Sequence, residues 1–283
     1  MQTNLKQDVK EISRVMITGA SGFLGCRLNI YYKEKYTLFC PRHDEMDITS
    51  EDSVMKYLAE NRPDVVIHCA AISSTGFCQE HPEESFRVNV LGTENLAKAC
   101  KEVDTKLIYM SSDQVYNGTA KKGLLTEEVP LFPVSVYGKD KLEAERRVQQ
   151  ILPDSIGLRL TWMYDQPESN LKQNTGILLN LKKAWETGQK IKAAVHEYRG
   201  ITQVWEVVKN MEKLFYAPGG IYNFGSENTQ CSYKTYLNFA TNMKLPHPEE
   251  LIIADTERFA TQDRNLSIAI GKIRKLGIDF TPN

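Results

Sequence analysis

The chain has 283 residues, 41% hydrophobic and 25% charged, with a formal net charge of −1. That length holds one large domain or two modest ones and suffices for a sizeable core. The near-neutral balance supplies no field that would draw the molecule to nucleic acid or an anionic membrane. Met1 to Glu11 is polar and lacks the apolar run of a signal peptide, and the longest apolar stretch, Val65–Ile72, is interrupted by His68 and too short to span a bilayer. A cytoplasmic protein is the expectation. The six cysteines at 26, 40, 69, 78, 100 and 231 form no C-x-x-C pair. Cys26, Cys69 and Cys100 sit among small or apolar neighbours and read as buried reduced thiols. No zinc spacing occurs, since His196-Glu197 does not continue to H-E-x-x-H, and no metal is expected.

In chain order, Arg14–Thr18 (RVMIT) predicts a buried strand, Gly22 to Lys33 a helix and Tyr36–Cys40 a second strand. Ser50 can cap a helix over Glu51–Asn61 by accepting one of its free amides, and Pro63-Asp64 stops that helix before a third strand at Val65–His68. Phe86, Val90, Leu96 and Ala97 recur near the helical period and predict one helix from Glu80 to Lys101. A fourth strand follows at Lys106–Met110, then a helix over Val134–Gln150 and a fifth strand at Ser155–Leu160. Strands alternating with helices at this spacing imply βαβ units, a parallel sheet and helices on both faces. The handedness of parallel crossovers then leaves a doubly wound α/β sheet as the main topology.

Past residue 160 the pattern loosens. Asp165–Thr175 is polar and predicts a loop, Gly176–Thr187, Gln203–Phe215 and Ser232–Met243 predict helices, and Ile221–Phe224 a short strand after the Gly219-Gly220 turn. The expected organisation is a nucleotide-binding domain over 1–160, with a return segment near 196–225, and a smaller C-terminal substrate-binding lobe over 161–283.

Thr18-Gly19-Ala20-Ser21-Gly22-Phe23-Leu24-Gly25 joins the first strand to the first helix with G-x-x-G-x-x-G spacing. Gly19 would let the strand turn sharply, Gly22 would remove a Cβ that holds a pyrophosphate off the backbone, and Gly25 would let the helix approach the sheet. The phosphates would rest on the helix N-terminus, where free amides favour anions. In this context the turn predicts a Rossmann-type dinucleotide site. The second strand ends Phe39-Cys40-Pro41-Arg42, with Asp44 and Glu45 following, so a cation precedes any acid at the place where the adenosine ribose is read. Arg42 favours the 2′-phosphate of NADP(H) over NAD(H), which stays open.

Tyr137 and Lys141 stand one helical turn apart. Reducing a ketone needs a proton donor, and free tyrosine, with a pKa near ~10, serves poorly at neutral pH; a neighbouring ammonium would move it towards the working range. Ser111-Ser112 closes the fourth strand, at the end of the sheet where ligands collect, and could orient a carbonyl. Tyr31 and Lys35 repeat the Y-x-x-x-K spacing at the far end of the first helix, away from those serines, and read as accidental.

Taken together, TGASGFLG (18–25), MDIT (46–49), PDVVIHCAA (63–71), CQEHPEESFRVNVLGTENLA (78–97), LIYMSSDQVYNG (107–118), TEEVPLFPVSVYGKDKLEAE (126–145) and LRLTWMY (158–164) resemble the extended short-chain dehydrogenase/reductases over nearly the whole chain, and within them the dTDP-4-dehydrorhamnose reductase group. The resemblance implies a catalytic Ser112, Tyr137 and Lys141. It implies a cofactor site of Gly19, Ser21, Gly22, Phe23, Leu24, Gly25, Arg42, Asp47, Ile48, Cys69, Ala70, Ala71, Asn89 and Ser111, together with Tyr137 and Lys141. Asp47 would lie by the adenine, and Asn89 would support an active-site water or the lysine. It implies reduction of a 4-keto group on a nucleotide-activated deoxysugar, a nucleotide-sugar partner and no nucleic acid or membrane partner; a homodimer stays open.

Departures fall on the substrate side. The group's S-T-D-Y-V-F is Ser111 to Tyr116 as SSDQVY, its G-S-P-T is Gly200-Ile201-Thr202 without proline, and Asp165 stands where glycine is usual. Two alternatives remain: a nucleotide-sugar epimerase or dehydratase with a tightly held NAD, and a non-catalytic NADP-binding partner resembling the regulatory subunit of methionine adenosyltransferase.

Overall fold

A central sheet is assembled from β1 (Arg14–Thr18), β2 (Thr37–Phe39), β3 (Val65–His68), β4 (Lys106–Ser112), β5 (Ile156–Leu160) and an edge strand at Gly220–Phe224. The computed structural model describes residues 11–166, 170–174 and 176–283. The strand order is edge strand, β5, β4, β3, β1, β2, and every pairing is parallel. The chain runs outwards from β1 to β2 and then returns across β1 to β3, which opens a crevice at the carboxyl ends of β1 and β3.

The period-2 alternation of strand side chains divides the interior in two. Val15, Ile17, Val65, Ile67 and Ile108 enter one apolar cluster, while Met16, Val66, Leu107 and Tyr109 enter the other. The first cluster is closed by Leu24 and Leu28 of the helix Phe23–Tyr32 and by Val204, Val207, Val208 and Met211 of the helix Val204–Met211. Val54 and Leu58 of Glu51–Asn61, Leu96 and Cys100 of Gly92–Glu102, and Val148 of Val136–Ile151 close the second. Each buried aliphatic side chain contributes roughly 1.5–3 kcal/mol, so these stripes, more than helix propensity, hold the helices to the sheet.

The cap on the second helix forms as its sequence predicts: Ser50 Oγ accepts from the Ser53 amide at 3.3 Å, and Arg62 ends the helix with φ +43° ahead of Pro63. Helix and strand ends otherwise shift by a residue or two, with β4 running on to Ser112.

The single helix expected from Glu80 to Lys101 is instead four pieces. Thr75–Glu80 and Pro82–Phe86 are separated at His81, then a widened π-turn spans Arg87–Leu91 before Gly92–Glu102. Pro82 explains the first break, because it lacks an N–H and its ring clashes with the preceding turn. π-turns favour functional positions, and this one contains Asn89. The thiol expectation also needs correcting. Cys100 is buried, but Cys26 and Cys69 are only partly covered: Cys69 follows β3 beside half-buried Ala70 and Ala71, and Cys26 lies on the first helix with its thiol 3.5 Å from the Phe23 carbonyl.

The C-terminal region has its own apolar cluster, which includes Leu178, Leu181, Ala193, Ile201, Ala240 and Ile252. Its strands pair over long separations: Ile191–Ala194 with Ile252–Asp255, Glu197–Arg199 with Arg264–Leu266, and Trp162–Tyr164 with Ile201–Gln203. Within Asp165–Thr175, the described residues carry no helix or strand; residues 167–169 and 175 lie outside the described residues, as do residues 1–10 of the polar N-terminus. Among the described residues no helix is long and apolar enough to cross a membrane.

Candidate active site

The glycine turn is shaped by close approaches. Gly19 has φ +67°, and a Cβ there would lie 2.7 Å from the Ala70 nitrogen; a Cβ on Gly25 would lie 2.2 Å from the Gly19 carbonyl oxygen. Only glycine lets β1 turn, touch the end of β3 and receive the helix at once. Gly22 is the N-cap of Phe23–Tyr32 and supplies no side chain, which leaves the first amides directed at the crevice. Ser21 beside it is exposed, Phe23 is half-buried, and the Leu24 side chain belongs to the core, so only its backbone faces the turn.

The ends of β1 and β3 are joined by a polar relay. Thr18 Oγ1 lies 2.7 Å from His68 Nδ1 and accepts from the Ala70 amide at 3.2 Å, while His68 Nε2 lies 3.1 Å from Thr93 Oγ1. Burial, with the nearby Lys141 charge, brings the imidazole down to about 3, so His68 is a neutral structural histidine. Asn89 reaches from the π-turn to Ile72, just past Ala70 and Ala71. Its Oδ1 accepts from the Ile72 amide at 2.9 Å and its Nδ2 donates to the Ile72 carbonyl at 3.0 Å. Nδ2 also donates to Ser85 Oγ at 3.2 Å, and Ser85 Oγ donates to Asp140 at 2.5 Å.

Arg42 lies beyond β2 with its guanidinium on Asp44 at 2.8 and 3.1 Å, and its amide donates to Glu45 at 2.8 Å. The acids that follow Arg42 in sequence thus fold back on it. Asp47 accepts from the Thr49 amide and hydroxyl at 2.9 and 2.8 Å, and the amide bond is the main cause of its lowered carboxyl pKa. Ile48 is buried, and Asn95, which sequence reasoning did not single out, donates to its carbonyl at 3.0 Å.

At the end of β4 the structure brings Ser112, Tyr137 and Lys141 together, each largely buried. Ser135 caps the helix Val136–Ile151 by accepting from Gly138, and Asn117 donates to the same hydroxyl at 2.7 Å. Ser112 accepts from the Gln114 amide and donates to Asp113, both at 3.2 Å. Burial pushes the Tyr137 phenol well above its ordinary range; a hydrogen bond with Ser112 opposes this and the Asp113 charge reinforces it. Lys141 Nζ donates to the Met110 carbonyl at 2.9 Å and stands 5.7 Å from the Tyr137 ring centroid, and burial brings its ammonium down to about 8. The expected direction for the phenol is therefore reversed. In this arrangement burial dominates, and Tyr137 is held as a neutral acid, which suits donating a proton.

Ser111 turns away from Ser112 to donate to Glu145 at 2.5 Å. The second Y-x-x-x-K copy lies elsewhere, with Lys35 2.8 Å from Glu212 and stacked on Tyr31.

Sequence reasoning missed a group of arginines near the end of β4 and in the C-terminal region, because their partners are distant in the chain. Arg199 Nη2 lies 3.2 Å from Asp113, and its guanidinium carbon is 5.3 Å from the Trp162 ring centroid. Its Nε is buried and has no hydrogen-bond partner among the described residues. Arg264 bridges Glu197 at 2.6 Å and Gln114 at 2.8 Å, so the glutamine that departs from the S-T-D-Y-V-F pattern has a local use. Asp165, the other departure, receives two bonds from buried Arg27 at 2.8 and 2.6 Å. Arg27 also donates to the carbonyls of Phe23 at 2.6 Å and Lys172 at 3.0 Å, tying the nucleotide helix to the loop after β5.

The RmlD substrate binding domain family model matches residues 13–260. The dTDP-4-dehydrorhamnose reductase of Mycolicibacterium smegmatis is 36% identical over 53% of this chain, and the match spans 46% of that protein's length. Methionine adenosyltransferase 2 subunit beta of Xenopus laevis is 30% identical over 94% of this chain and 83% of its own. A solved dTDP-4-dehydrorhamnose reductase from Bacillus anthracis str. Ames, in complex with NADP, has a TM-score of 0.84 at 21% identity over 96% of both chains, a likeness of fold.

Proposed function

The chain belongs to the RmlD substrate-binding-domain family, and from that premise we propose that it reduces a 4-keto group on a nucleotide-activated deoxysugar with NADPH. The observation that carries this reading is the buried cluster of Ser112, Tyr137 and Lys141 at the carboxyl end of β4, on the same side of the sheet as the glycine turn.

The residues fit a dinucleotide. The Gly19–Gly25 turn would offer free helix amides to the phosphates, Asp47 and Ile48 would border the adenosine side, and Arg42, now paired with Asp44, would exchange that carboxylate for a 2′-phosphate. When bound, the nicotinamide supplies hydride. Ser112 then orients the ketone by a hydrogen bond to its oxygen, and the neutral Tyr137 phenol gives that oxygen its proton as the alkoxide develops. Lys141, charged below about pH 8, stabilises the resulting phenolate. Asn89 keeps the Ile72 backbone in place beside the crevice. Arg199, held by Asp113 and backed by Trp162, keeps one guanidinium N–H for an acceptor, and the substrate diphosphate is a fitting one.

The test is NADPH absorbance with dTDP-4-dehydrorhamnose, followed with NADH for comparison. Sugar-dependent oxidation is expected; its absence, with NADPH bound normally, would remove the reductase reading. NAD that stays bound through purification would favour the epimerase alternative.

One observation favours a second reading. The match to methionine adenosyltransferase 2 subunit beta runs over 94% of the chain, whereas the Mycolicibacterium reductase match runs over 53%. Under it the chain binds NADP as a partner of that transferase, and a stable complex with a methionine adenosyltransferase on gel filtration, without sugar turnover, would establish it.

A further inference from the structure

Tyr137, Lys141 and Glu145 stand at successive turns of Val136–Ile151 and form one stripe against the end of β4. Each meets a different residue of that end: Tyr137 meets Ser112, Lys141 holds the Met110 carbonyl, and Glu145 accepts from Ser111 Oγ. Glu145 is buried, with 3% of its surface exposed. Its Oε1 also accepts from Arg159 Nε at 3.0 Å and its Oε2 from Arg159 Nη2 at 2.7 Å. From Arg159 on β5 the contacts continue: Nη1 donates to the Tyr116 hydroxyl at 2.7 Å, which donates to Asn223 on the edge strand at 2.9 Å. One carboxylate therefore ties the helix that carries the proton donor to β4, to β5 and, through Tyr116, to the edge strand.

We propose that Glu145 is a positioning residue for this site, acting through the Ser111 hydroxyl to hold Met110 and Ser112 where Lys141 and Tyr137 can use them. The inference rests on the reductase reading for its kinetic consequence but not for its geometry. An ion pair that served stability alone would need only Arg159. The Ser111 bond is the element that extends the pair to the reacting residues, and it takes up the hydroxyl of a residue adjacent to Ser112.

Ser111→Ala removes that bond and leaves the Glu145–Arg159 pair whole. It is expected to remain folded and to lose about tenfold in kcat, with KM for the sugar nearly unchanged, because small displacements of reacting groups are costly. Ser111→Thr, which restores the hydroxyl, should recover most of the rate. A sugar-independent measurement keeps this apart from the function itself. Lys141 can be titrated by carbon-13 NMR of the lysine side chains, assigned with Lys141→Arg. The groups facing Lys141 are Cys69 and His68 at the end of β3, Cys78 on Thr75–Glu80, and Asp140 and Glu145 on its own helix. Glu145→Gln should lower the Lys141 midpoint from about 8. Where Glu145→Gln fails to fold, Ser111→Ala carries the titration, since it leaves the Glu145–Arg159 pair whole and should lower the midpoint by loosening the Met110 carbonyl from Lys141. An unchanged midpoint in the folded variant, or wild-type kcat in Ser111→Ala, overturns the proposal. If the wild type turns over no sugar, the titration still decides it.

Discussion

The crevice at the ends of β1 and β3 and the C-terminal region of this molecule are built by different kinds of contact. Around the crevice several contacts join neighbours in sequence: Gly19, Gly22 and Gly25 shape one turn, Asp47 is satisfied by Thr49, and Ser50 caps the helix that follows. In the C-terminal region, Glu197–Arg199 finds Arg264–Leu266, and Asp113 finds Arg199. A local motif can be recognised in a single chain, whereas a long-range pairing has no fixed spacing to recognise. Gln114 and Asp165, which differ from the pattern the sequence otherwise resembles, each have an arginine partner distant in the chain.

The strongest way to break that comparison is at the residues where both sides meet. Tyr137→Phe removes the proton donor while leaving the nucleotide turn intact. Turnover should fall by about 10²- to 10⁴-fold with NADPH affinity within about twofold of wild type, as measured by steady-state kinetics and fluorescence titration. Turnover near wild type would remove Tyr137 from the mechanism. Next in size, Arg27→Met leaves Asp165 buried without its cation. Such a loss costs roughly 3–5 kcal/mol, to be read from urea denaturation. A shift below about 1 kcal/mol would mean that the loop after β5 is not fastened to the nucleotide helix by this pair.

A pH series sharpens the picture at Lys141. Burial lowers its ammonium from the ordinary 10.5 to about 8. Turnover should therefore decline above about pH 8 as the charge is lost. The stability contribution has the opposite sign: between about 8 and 10.5 the unfolded chain holds more protons at this group than the folded chain, so stability from it rises with pH. Activity falling across an interval in which the cofactor-free protein does not lose stability would separate titration from unfolding. The smallest effect belongs to Arg42→Ala, which should reduce the preference for NADPH over NADH by about tenfold. An unchanged preference would leave Arg42 as a surface charge balanced by Asp44 and Glu45.

Much of the nucleotide half was legible before any coordinates. The short apolar runs RVMIT and VVIH, the proline stop after Ser50's helix and the Y-x-x-x-K spacing are local signals, and each corresponds to an element or a cluster in the fold. The helix around Asn89 was legible only in part, because hydrophobic period cannot distinguish a π-turn from an α-turn, and the break at Pro82 interrupts an otherwise helical pattern. Ser111 stood out as the neighbour of Ser112, yet nothing in the sequence paired its hydroxyl with Glu145.

By itself the sequence determined the doubly wound sheet, the turn where a dinucleotide can rest and the helix stripe that carries Tyr137 and Lys141, since periodicity and glycine spacing are properties of neighbouring residues. Only the tertiary structure decided which way the Tyr137 phenol shifts, where Arg27, Arg159 and Arg199 find their carboxylates, and how the end of β4 is held. Those outcomes depend on burial and on charges brought together from distant parts of the chain, and neither burial nor distance is written in local spacing.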